Sequence, residues 1–139
     1  MGRVNLGRVI LGGLLAGLII NISEFVLNTI VIAADLDTAM KAMNKQMDNS
    51  MIAWFVIAGF ALGILAVWVY AAIRPRFGPG VKTAVIAALA VYFLSYVYPS
   101  VFVGAMQIFP PRIMIISLCW GIPEIIIGSI AGAWLYAEG

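Results

Sequence analysis

Residues Val9–Ala33 read VILGGLLAGLIINISEFVLNTIVIA. The stretch is long enough to cross a bilayer, for which about 20 apolar residues suffice. No water reaches that depth, so the segment must satisfy its own backbone polar groups by forming a helix. Yet the same stretch carries Asn21, Glu24 and Asn28. Helical residues three or four apart share a face. Gly13, Gly17, Asn21, Glu24 and Asn28 step by 4, 4, 3 and 4 and form one stripe. Its glycine half suits the close approach of a second helix. Its polar half puts a carboxyl and two amides on the same protein-facing side.

Composition extends this reading to the whole chain. The 139 residues are 64% hydrophobic and 10% charged, with a mean hydropathy of +1.09. Soluble domains are roughly 45–50% apolar and about 25% charged. Three more segments have spanning length, Met51–Ile73, Thr83–Val103 and Ile113–Tyr136. The expectation is a single integral membrane domain over residues 1–139, an all-α transmembrane four-helix bundle. Arg3 and Arg8 before an apolar run imitate a signal sequence, but the run exceeds an h-region and reads as a retained span.

The joining loops are short. ADLDTAMKAMNKQMDNS (Ala34–Ser50) predicts a short amphipathic helix capped by Asp37 and lying on the outer leaflet. Met40, Met43, Met47 and Met51 step by 3, 4 and 4, which would align them on one face. An apolar face against lipid is the first reading of that row, and a soft thioether site for Cu(I) is the competing one. RPRFGPGVK (Arg74–Lys82) predicts a loop with a type II turn at Pro79-Gly80. Its Arg74, Arg76 and Lys82 are placed to meet lipid headgroups. In QIFPPR (Gln107–Arg112), the two prolines bar helix continuation.

Basic residues set the expected orientation. Arg3, Arg8, Arg74, Arg76 and Lys82 fall on one side, against Lys41, Lys45 and Arg112 on the other. The positive-inside rule then puts both termini in the cytoplasm.

Each remaining span also has a small or polar face. Ser117, Gly121, Glu124, Gly128 and Gly132 step by 4, 3, 4 and 4. The second span offers Gly59, Gly63, Ala66 and Tyr70; the third offers Ala84, Ala88, Tyr92 and Ser95. Glu24 and Glu124 should lie within about one turn of the same depth, where two touching carboxyls would share a proton. Pro123 frees the carbonyl of Cys119 beside them. An ionisable residue at mid-bilayer costs roughly 2.5–3.5 kcal/mol, which makes both acids functional candidates. They either hold a proton or cation with Asn21 and Asn28, or serve as interhelical glue to Asn21, Asn28, Tyr92 or Ser95.

Other chemistry is poorly served. The chain has no histidine and one cysteine, Cys119, which excludes an internal disulfide. No nucleotide loop, metal motif or nucleophile–base pair is present, so no cofactor, metal or enzymatic activity is expected. A net charge of +2 gives no basis for nucleic-acid binding. The expected function is that of a non-enzymatic accessory or structural subunit. It would pack with lipids, other membrane subunits or its own copies through Gly13, Gly17, Gly59, Gly63, Gly121, Gly128 and Gly132. The alternative is a small proton- or cation-coupled transporter using Glu24 and Glu124. AVWVYA (Ala66–Ala71) and GAWLYA (Gly132–Ala137) close the second and fourth spans and hint at two duplicated hairpins.

Taken together, LGGLLAGLIINISEFVLN, VWVYAAIRPRFGPGVKTAVIA and the C-terminal GAWLYAEG resemble a family of small four-span bacterial membrane proteins of unknown function. The resemblance covers nearly the whole chain and implies the four-span fold without implying an activity. Length, four spans and Glu24 also resemble small multidrug resistance exporters, whose surrounding motifs are missing here.

Overall fold

The computed structural model describes residues 2–138. Among them the chain is helical throughout, with no strand. Helix α1 covers Leu6–Val26 and runs on through a π turn at Leu27–Val31. Helix α2, Ala33–Ala42, is short; α3 is the long helix Asn49–Phe77. The next long segment comprises α4 (Val81–Tyr92), a π turn at Phe93–Val97, and α5 (Tyr98–Ala105). Helix α6 covers Pro111–Leu135, with proline at its first position, where the missing N–H is harmless. Four helical segments, Leu6–Val31, Asn49–Phe77, Val81–Ala105 and Pro111–Leu135, are long and apolar enough to cross a membrane.

Helix α1 packs against α3 and α6, and α4 packs against the same two. Helices α3 and α6 also touch, so they form the short diagonal of a square. Small residues set the distances. A Cβ on Gly17 would lie 2.7 Å from Cα of Phe60, and one on Gly63 would run into the backbone of Gly13 and Gly17. Gly12 and Gly132 meet through their backbones in the same way between α1 and α6. Buried alanines fill the rest, including Ala16, Ala66, Ala71, Ala84, Ala87 and Ala88. This close-packed half is the end that carries both termini.

Four loop expectations are corrected. Helix α3 continues through Pro75 to Phe77, so Arg74 and Arg76 belong to its last turn. Proline there removes one hydrogen bond only, and the helix survives it. The remaining turn is not type II. Gly78 (φ 86°, ψ 162°) and Gly80 (φ 120°, ψ −173°) both adopt backbone conformations that essentially only glycine takes up. In the first loop, α2 begins at Ala33, so Asp37 is an interior residue, paired with Lys41 at 2.9 Å. The helix ends at Ala42, and Asn44 is left-handed at φ 56°. Asp48 then caps α3 by accepting from the Met51 N–H at 2.9 Å. Met40, Met43, Met47 and Met51 thus fall on two helices and the turn between them, and share no single face.

Candidate functional site

Polar residues from three of the four long segments converge at one level. Helix α1 contributes Ser23, Glu24 and Asn28; the π turn Phe93–Val97 contributes Tyr96; α6 contributes Trp120 and Glu124. Glu124 is 3% exposed. Its Oε2 accepts a hydrogen bond from the Tyr96 hydroxyl at 2.5 Å. The Glu24 carboxyl and the Ser23 hydroxyl stand beside the Glu124 carboxyl. Glu24 is half-buried, and its Oε2 accepts from Asn28 Nδ2 at 3.2 Å. Trp120 Nε1 donates to Ser23 Oγ at 2.8 Å, which leaves the serine hydrogen free to turn toward the carboxyls.

Charge is not balanced by any basic side chain. Among the described residues, the ion pairs are Lys41–Asp37, Arg74–Glu138 and Arg112–Asp35, none of which involves Glu24 or Glu124. Glu124 Oε1 is buried and receives no hydrogen bond from a fixed donor. A buried polar atom left in that condition costs about 1–3 kcal/mol, more if charged. A proton shared with Glu24, or a small cation between the two carboxyls, would satisfy it.

The backbone is irregular at the same level. The two π turns follow Glu24 and contain Tyr96, and Pro123 interrupts the ladder of α6 just before Glu124. Such turns cluster at functional sites. The Tyr92 hydroxyl donates to Leu118 O at 2.7 Å, one residue from the carbonyl freed by Pro123. Asn28 Nδ2 also donates to Glu24 O at 2.8 Å, covering a carbonyl at the π turn.

The stripe on α1 is shared between two neighbours. Gly13, Gly17 and Asn21 meet α3: the Asn21 amide lies against Gly59 and donates to Val56 O at 3.2 Å. Glu24 turns instead to α6. Asn21 is therefore outside the carboxyl cluster, and Asn28 is inside it. Gly59 and Gly63 face α1, Gly128 and Gly132 face Ala16 and Gly12, and Gly121 accommodates the ring of Tyr96.

Tyr96, Ser23 and Trp120 were not among the expected site residues. Alpha-helical spacing from Ala84, Ala88 and Tyr92 led to Ser95. Ser95 and Tyr96 lie three and four residues after Tyr92, so both steps keep to that face, and it is Tyr96 that reaches Glu124. A tyrosine one helical step after another inward tyrosine was the available signal.

At the termini end, Arg74 is turned toward Glu138 at 3.0 Å and lies 5.6 Å from the Tyr136 ring centroid. Arg76 and Lys82 are exposed. The Tyr70 and Tyr136 rings, from the two similar hexapeptides, meet edge-on at 5.9 Å.

No known protein family, curated protein or solved structure matches the chain.

Proposed function

We propose that the chain is a non-enzymatic, multi-pass protein of the bacterial inner membrane in which Glu24 and Glu124 bind and release one proton or small cation. It acts as a small proton- or cation-coupled transporter. The observation that carries this reading is the unsatisfied Oε1 of Glu124, with a second carboxyl beside it and no basic partner. The glycine faces, by contrast, are engaged within the chain and are not free to receive another subunit.

Cation exchange at the pair tests the reading directly. Adding NaCl to the solubilised protein in very weakly buffered solution should release about one proton per chain, read with a pH dye against a protein-free blank. Glu24→Gln combined with Glu124→Gln should release none. Wild-type protein that releases no proton on Na⁺ addition and takes up none across a pH titration of the pair would end the proposal.

The accessory-subunit reading keeps one observation in its favour. Helix α5 has no buried residue, and the start of α3 from Ile52 to Ala58 is exposed throughout. A partner helix or second copy could cover that apolar surface. Purification from native membranes in mild detergent should then recover a stoichiometric complex; isolated monomer speaks against this role.

A further inference from the structure

Helix α2 sits at the loop end of the bundle, directly beyond the carboxyl pair. Leu27 follows Glu24 by three residues and is 1% exposed. It packs with Ile32, Ala39 and Ile113 in one buried cluster, flanked by Phe109, Ile116 and Trp120. Trp120 in turn donates to Ser23, beside Glu124. This apolar plug therefore lies between the buried Glu124 carboxyl and the polar surface of the loop end, while the half-buried Glu24 keeps part of its surface exposed. In the other direction, α1 lies in close backbone contact with α3 at Gly13, Gly17 and Gly63 and with α6 at Gly12 and Gly132.

The plug is weakly held where it joins α2. Ala39 is the one buried residue within that helix. The chain enters α2 through the π turn Leu27–Val31 and a non-helical residue, Ile32, at φ −112° and ψ 13°. A single ion pair, Arg112 Nε to Asp35 Oδ2 at 3.2 Å, ties α2 to α6, and both side chains are exposed. Few buried contacts and an irregular hinge are the marks of a segment that opens locally.

We propose that α2 is a lid over the Glu24–Glu124 pair, with the π turn as its hinge, the Leu27–Ile32–Ala39–Ile113 cluster as its seal and Asp35–Arg112 as its latch. Opening it admits water and small cations to the carboxyls. The purpose of the lid rests on the exchange site proposed above; its movement does not.

The test is labelling of Glu24 by a water-soluble carbodiimide and an amine, with the intact protein in detergent and modification read peptide by peptide. Asp48, exposed on the neighbouring turn, serves as the reference carboxyl. An exposed ion pair contributes about 0.2–1 kcal/mol, so Asp35→Asn should speed Glu24 labelling by about 1.5- to 5-fold. Asp35→Arg with Arg112→Asp should restore the slow rate. Ile113→Ala, which thins the seal, should accelerate labelling beyond Asp35→Asn. Added choline chloride, whose cation is too bulky to enter between the carboxyls, should accelerate wild type and leave Asp35→Asn nearly unchanged, because screening acts on the latch. Equal rates in all variants, or a salt effect that persists in Asp35→Asn, would overturn the lid. Sodium-driven proton release that survives such a result would keep the site while discarding its cover. Loss of that release with labelling as expected would do the reverse.

Discussion

The Glu124 carboxyl depends on Tyr96. One oxygen takes the tyrosine hydroxyl at 2.5 Å, and the other takes no fixed donor. Tyr96→Phe removes the hydroxyl and preserves the ring that fills the space over Gly121. Hydrogen bonds between membrane helices average about 0.6 kcal/mol and reach about 1.7 kcal/mol. A bond to an ionised acceptor is roughly twice as strong as a neutral one. A double-mutant cycle of Tyr96→Phe with Glu124→Ala, read by unfolding in mixed micelles, should therefore give a coupling of about 1 kcal/mol. Zero coupling would mean that the hydroxyl does not hold the carboxyl. The same pair explains why glue alone is a poor account of Glu124. Glue needs only hydrogen bonds, whereas here two carboxyls stand side by side with no basic partner among the described residues.

Small residues and irregular turns divide the labour among the helices. Gly13, Gly17 and Gly63 let α1 and α3 touch backbone to backbone, and Gly59 makes room for the Asn21 amide. Adding a methyl group at Gly63 meets backbone atoms that cannot move without separating the helices. Gly63→Ala should destabilise the fold by about 1–3 kcal/mol, the usual range for overpacking. Gly104→Ala is the control: its methyl would meet the flexible end of Met114, 3.2 Å away, and should change stability by less than about 0.5 kcal/mol. Thermal unfolding of the two variants in one detergent compares them. These helices were legible in the sequence because apolar length and small-residue spacing are direct consequences of packing. The π turns were not, since a wide turn leaves no mark in composition; after Tyr92 the steps to Ser95 and Tyr96 both keep to the inner face, and spacing alone does not say which one meets Glu124. The reach of α3 past Pro75 was hidden for a related reason: proline reads as a breaker, yet near a helix end it removes little. Asp37 likewise read as a cap, although the preceding helix was already under way.

At the scale of the molecule, charge follows the two ends of the bundle. Arg3, Arg8, Arg76 and Lys82 are exposed at the termini end, joined by Arg74, which is paired with Glu138. At the loop end, two of the three basic residues, Lys41 and Arg112, are paired with Asp37 and Asp35. The pairing leaves Lys45 as the loop-end cation without an acidic neighbour among these bridges, so the imbalance in free positive charge is steeper than the plain count of five against three. The positive-inside rule counts residues near the ends of spans, and pairing with acids alters it little; both ways of counting nevertheless favour the same side. The proposed orientation therefore has both termini in the cytoplasm and α2 outside. Replacing Cys119 with alanine gives a background free of thiols. Gln46→Cys, in the exposed turn between α2 and α3, should then react with a membrane-impermeant maleimide on intact cells. Pro79→Cys, in the opposite turn, should react only after permeabilisation. The reverse pattern would put the lid in the cytoplasm, and cations would then reach the carboxyl pair from that side when α2 opens.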